Sequence, residues 1–168
     1  MKKFFLLTVF VALTLSIKAA KVIDGSLNCI KGEKHITVTL DCSKAVYRKD
    51  RTFQDFLDKA PRIDDWETES LKYFFEYFND ETFKIHLTAV PATSKNKGKY
   101  ELVLIPLEIT KGGGFKKAHA CLLNSETKEQ MAIIEFETDG DDNDKITLRD
   151  PMKEAGEDLG KLFNKLLK

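Results

Sequence analysis

One stretch constrains this chain more than any other. Tyr100–Ile109 contains Leu102-Val103-Leu104-Ile105-Pro106-Leu107, an apolar run almost without interruption. Continuous apolar character in a strand predicts burial on both faces, hence a central position in a sheet. Pro106 lacks an amide hydrogen, so it predicts a bulge or a local edge inside that strand. The neighbours expected for it follow from alternation. Lys84–Val90 places Ile85, Leu87 and Ala89 on one side. Gly112–Gly114 make a turn, and Lys116–Leu123 and Met131–Thr138 pair as a hairpin around Asn124–Gln130.

Upstream, Leu27 and Cys29 alternate with polar residues, and so do Ile36, Val38, Leu40 and Cys42. Gly32 between these runs suits a two-residue type II′ turn. The expectation is an N-terminal β-hairpin with Cys29 opposite Ile36, Leu27 opposite Val38 and Ile23 opposite Cys42. That register holds Cys29 and Cys42 several residues apart, which argues against a disulfide between them.

Residues 44–51 are a charged connection. Thr52 is a plausible N-cap for a short helix carrying Phe53, Phe56 and Leu57, ending before Pro61. Asp64 and Asp65 lead into a second helix, from about Trp66 to Asn79, where acids suit the helix dipole. Nine aromatic residues fall between positions 52 and 83. On this helix Trp66, Tyr73 and Tyr77 form one flank, Leu71, Phe74 and Phe78 the middle, and Phe75 the far flank. The apolar arc spans about 200°, twice the width of an ordinary surface helix. Packing between the sheet and the first short helix would use most of it.

After the acidic loop Asp139–Asp144, Asp150 as N-cap and Pro151 as first residue open a C-terminal helix. Met152, Ala155, Leu159, Leu162, Phe163 and Leu166 recur on it at helical spacing. Gly156 and Gly160, one turn apart, suit a close approach to the sheet. The expected class is α+β: N-terminal hairpin, helical segment, antiparallel meander and C-terminal helix packed on one sheet. Residues 21–168 form a single domain.

Residues 1–20 stand apart. Lys2 and Lys3 precede an uncharged run from Phe4 to Ile17, followed by Lys18-Ala19-Ala20. Such a run is shorter than the roughly 20 residues of a membrane-spanning helix and reads as a secretory signal peptide, cut after Ala19 or Ala20. The expected location is the periplasm or cell envelope, or the extracellular space, with no transmembrane span in the mature chain. Without these residues the neutral chain keeps 24 basic and 27 acidic side chains. A basic excess is missing, so nucleic acid is not an expected partner. Three cysteines are too few for a disulfide scaffold.

Four features invite chemistry. Cys121 with His119 resembles a nucleophile and base, but two residues along a strand are far apart for proton transfer, and His35 and His86 lie on other segments. Buried cysteine as a small hydrophobe is the commoner role. Asp139, Asp141 and Asn143 have the alternate spacing of a calcium loop, with Ile146 eighth and Asp150 twelfth. Asp144 stands where the sharp turn requires Gly, which favours a plain acidic turn. Gly112–Lys117 lacks the GK[ST] ending of a phosphate cradle and reads as a hairpin loop. The fourth is the Trp66–Tyr73–Tyr77 flank, whose residue types anchor interfaces when exposed. No catalytic, cofactor or metal residue is assigned.

The Gly25–Lys34 segment with G-S-L and K-G-E-K, F-N-D at Phe78–Asp80, L-V-L-I-P-L-E-I at Leu102–Ile109 and K-E-A-G-E-D-L-G-K-L at Lys153–Leu162 together resemble small uncharacterised secreted or periplasmic proteins of the Bacteroidetes, a domain of unknown function. The resemblance implies location and fold and carries over no catalytic residue. The expected function is a non-enzymatic binding or assembly domain of the envelope. It would dock another envelope protein through Trp66, Tyr73 and Tyr77 or through a sheet edge. The alternative is a small ligand-binding protein or hydrolase with a pocket between helices and sheet.

Overall fold

A computed structural model describes residues 19–59, 66–140 and 148–168. The segments with Asp64 and Asp65, with Asp141–Asp144 and Ile146, and with residues 1–18 lie outside the described residues. The protein is α+β. Its sheet contains β1 (Lys21–Gly25), β2 (His35–Leu40), β3 (Val46–Tyr47), β4 (Arg51–Thr52), β5 (Thr88–Pro91), β6 (Tyr100–Ile109), β7 (Phe115–Asn124) and β8 (Gln130–Phe136). The main strand order is β1-β8-β7-β6-β2-β5, with β3 on β6 and β4 on β3. Three helices accompany it: α1 (Phe53–Leu57), α2 (Trp66–Thr82) and α3 (Arg149–Leu167).

The β6–β7–β8 meander is antiparallel, as expected from the sequence. The N-terminal hairpin does not form. Residues Leu27–Ile30 make a turn of 3-10 helix capped by Ser26, and Gly32 serves the turn that follows with φ of 84°. β1 pairs antiparallel with β8 at the sheet edge, and β2 runs parallel between β5 and β6. Alternation identifies a strand's apolar side but not its partner. The burial of Ile36, Thr37 and Val38 in succession is what a parallel interior strand requires.

The strand expected over Lys84–Val90 is also shorter than its alternation suggests. α2 runs on to Thr82, a 3-10 turn covers Phe83–Ile85, and His86 takes a left-handed conformation. Polar bonds fold this corner tightly. The buried Thr82 hydroxyl lies 2.8 Å from the Phe78 carbonyl and 2.7 Å from that of Leu87. Asn79 accepts from the Ala89 amide at 2.7 Å, setting the start of β5 beside the helix.

Gly156 and Gly160 serve α2, not the sheet. A methyl group on Gly156 would sit 2.6 Å from the Phe74 carbonyl oxygen, and one on Gly160 would sit 2.6 Å from Cβ of Glu81. Contacts progress from Arg149–Tyr73 through Lys153–Tyr77 to Phe163–Phe78, so the two helices run side by side in the same direction. α3, and not α1, therefore takes up the wide arc of α2. α1 instead packs Phe56 edge-on against Tyr47 of β3, its N-terminus held by a Thr52–Asp55 capping box. The cap of α3 differs as well. Leu148 occupies the N-cap without a side-chain bond, and Asp150 and Pro151 lie in the first turn, where the acid still suits the dipole.

The helices cover one face of the sheet. Leu102 and Leu104 of β6, Ala118, Ala120 and Leu122 of β7, and Ala132 and Ile134 of β8 are fully buried there with Phe74, Phe78, Met152, Leu159 and Phe163. β6 is central but is not covered on both faces: Val103, Ile105 and Leu107 are only half-buried. The bulge expected at Pro106 is present, between Pro106 and Glu108.

Candidate functional site

The face opposite the helices is assembled from alternate residues of four strands. Thr39, Val103, Cys121 and Ile133 form one row across β2, β6, β7 and β8, and Ile105, His119 and Glu135 form the next. These residues are half-buried, and no helix lies over them among the described residues. At one end Gly98 passes close over β2, where a methyl group would meet the His35 carbonyl at 2.4 Å and where its amide donates to Thr37 Oγ1 at 3.0 Å.

The other end is shaped by the β6 bulge. It turns two consecutive residues, Leu107 and Glu108, away from full burial, and Glu108 pairs with Lys117 on one side and Val46 on the other. Val46, Lys49, Leu107, Glu108 and Lys117 line a shallow cleft of about 340 Å³. Lys49 reaches it from the β3–β4 turn, where Arg48 and Lys49 have φ of 52° and 72°. Asn and Gly are the usual occupants of such turns, and each residue with a Cβ costs about 1 kcal/mol there. The Arg48 amide donates to the Ile109 carbonyl at 3.0 Å, which anchors the strained turn to β6.

Charge around this face is sorted. Lys116 pairs with Glu108 at 3.2 Å, Lys21 with Glu135 at 2.9 Å, and Lys128 with Glu101 at 2.7 Å. Lys49 and Lys117 are exposed and enter no ion pair among the described residues. Lys44 is close enough for its charge to act on Cys121. At the bulged end Lys49, Lys116 and Lys117 therefore gather around Glu108, and the charge of Lys117 also acts on Glu135.

The residues singled out in the sequence fall elsewhere. Tyr73 and Tyr77 are half-buried at the α2–α3 seam, with the Arg149 guanidinium 5.2 Å and the Lys153 ammonium 4.7 Å from their ring centroids. A hydrogen bond donated by the Lys153 ammonium to the Tyr77 side chain holds the lysine above its usual range. Trp66 is the first residue of α2, and its side chain lies outside the described ones. Cys121 lies on the helix-free face, where burial pushes its thiol up and away from the reactive thiolate. Burial acts the same way on Cys29 and more strongly on Cys42, and all three thiols are free. His35 and His86 flank the β2–β5 edge, two strands from β7.

Asp139 donates its amide to the Glu154 carboxylate at 2.6 Å, tying the acidic loop to α3. Among the described residues, no group of three or more His, Cys, Asp or Glu is placed to hold a metal ion. Gly114 and Gly140 meet backbone to backbone, a methyl on Gly114 lying 2.3 Å from the Gly140 nitrogen, so the triple glycine closes a hairpin against the end of β8. The bulged cleft escaped sequence reading because its lysines come from separate strands. Pro106 was the signal that could have located it.

No family model matches the chain. No curated protein matches it either. Among solved structures, a PelC dodecamer from Paraburkholderia phytofirmans aligns over 88% of this chain and 95% of its own, at 10% identity and a TM-score of 0.43. A likeness that distant carries no argument about function. No helix among the described residues is long and apolar enough to cross a membrane.

Proposed function

We propose that the protein is a non-enzymatic binding or assembly domain of the cell envelope, exported by residues 1–20, and that its binding surface is the helix-free face of the sheet. One observation carries this reading. Val103, Ile105, Leu107, Cys121 and Ile133 form an apolar strip that no helix covers among the described residues, on strands whose alternate residues are fully buried. Contiguous apolar surface left half-buried, without a covering layer, supports an interaction site. The half-buried Tyr73 and Tyr77 offer a second surface on the helical side. The space between helices and sheet is filled by Phe74, Phe78, Met152, Leu159 and Phe163, which disfavours a pocket there as the working site.

The experiment is site-specific photo-crosslinking in the native envelope. A crosslinker at position 105 should give discrete adducts, and one at the exposed Lys72 of α2 should give none. Equal labelling from both positions, or none from 105, overturns the reading. Mass spectrometry of the mature N-terminus tests export: an intact Met1 would refute cleavage.

A further inference from the structure

Resting on that reading of the helix-free face, we propose that its occupant is a single-chain amphiphile with a carboxylate head. The head would sit at the Lys49–Lys117 cleft and the chain along β6. Three observations combine. The cleft is lined by the apolar Val46 and Leu107 and by two exposed lysines, Lys49 and Lys117, that enter no ion pair among the described residues, although the charge of Lys117 also acts on Glu135. The one acid in that lining, Glu108, is already paired with Lys116, so within the lining itself the two lysines favour an anion. Leu107, Ile105 and Val103 lie in file along β6, a reach of about 13 Å at the rise of a strand.

Each part of the ligand follows from a part of the surface. Two lysines on flexible stems are point charges suited to a compact anion, without the rigid fork that a guanidinium presents. A chain lying on Leu107, Ile105 and Val103 removes their half-exposed surface from water, and the association is then driven mainly by apolar burial. The cleft is too shallow to bury a ligand fully, so a chain with a head at one end fits better than a compact polar metabolite.

The test uses the whole mature protein and three probes, each below its micellar concentration: octanoate, acetate and octyl glucoside. Amide chemical shifts report the site. Octanoate should bind saturably, with shifts confined to Val103, Ile105, Leu107 and Lys117. Acetate should produce none, and the uncharged octyl glucoside should bind about tenfold more weakly, the order that two surface charges contribute. The double variant Lys49→Gln, Lys117→Gln should bind octanoate as weakly as the wild type binds octyl glucoside, and Lys49→Arg, Lys117→Arg should restore it. Equal affinity for octanoate and octyl glucoside, an unaffected double variant, or no saturable shift at all would each overturn the proposal. Sedimentation with phosphatidylglycerol vesicles in the absence of octanoate binding would also overturn it and assign the charge to a membrane surface. If octanoate fails while crosslinks at position 105 persist, the binding surface stands and only its occupant changes.

Discussion

The two faces of β6 are made by neighbouring residues with opposite fates. Leu102 and Leu104 are completely buried under the helices, whereas Val103, Ile105 and Leu107 are half-open on the other side. Their side chains are equally apolar, so composition alone cannot separate them. The difference lies in what crosses each face. α2 and α3 run side by side over one, and among the described residues only a loop and a strained turn border the other. A strand of continuous apolar character need not be sandwiched. It can keep one face for the core and hold the second for something outside the chain.

If that contrast is correct, substitutions on the two faces should separate stability from binding. Phe78→Ala removes a ring stacked on Phe74 and set edge-on to Phe163, and should cost about 3–5 kcal/mol in urea denaturation. Gly156→Ala should cost about 3 kcal/mol, because the added methyl meets the Phe74 carbonyl and the helices must separate. Ile105→Ala should cost about 1 kcal/mol while abolishing the crosslinks and weakening octanoate binding. A loss as large as that of Phe78→Ala would mean the open face belongs to the core.

Two smaller effects sharpen the comparison. Lys49→Gly should stabilise the fold by about 1 kcal/mol by relieving its left-handed backbone, yet weaken octanoate binding. A gain in both would show that the turn is not held for the ligand. Burial alone would raise the Glu101 carboxyl, but hydrogen bonds from Lys128 and Thr39 outweigh it and lower the pKa below the ordinary 4.5. The folded state therefore binds its proton less readily than the unfolded chain, and this stabilisation is complete above pH 4.5 and lost as the pH falls through the folded value. Glu101→Gln should flatten that part of the acid unfolding curve, by less than about 1 kcal/mol after solvent screening. An unchanged slope below pH 4.5 would remove Glu101 from the account.

Much of the layout was legible in the residues. The meander, the Pro106 bulge, the Thr52 cap and the buried middle of α2 follow from alternation, a missing amide hydrogen, a hydroxyl at the right spacing and helical periodicity. Partner choice was not. Ile36, Val38 and Leu40 look the same whether a strand pairs with its chain neighbour or with two distant parallel strands. Gly156 and Gly160 signal close approach without saying to what. Helical spacing set Tyr73 and Tyr77 on one flank of α2, but the cations over them come from Arg149 and Lys153, far along the chain. The lysine cleft needs three strands and a turn in register before it exists.

The edge pairing of β1 with β8 has a kinetic consequence. Lys21 faces Glu135 and Gly25 faces Ala132, so the first strand of the domain has no sheet partner until the last strand is in place. Loop closure between the chain's ends is slow, and local hairpins form faster. The β6–β7–β8 meander is therefore the natural folding nucleus, and β1 should dock last. Truncating β1 should leave the refolding rate nearly intact while accelerating unfolding, because its contacts form on the native side of the barrier.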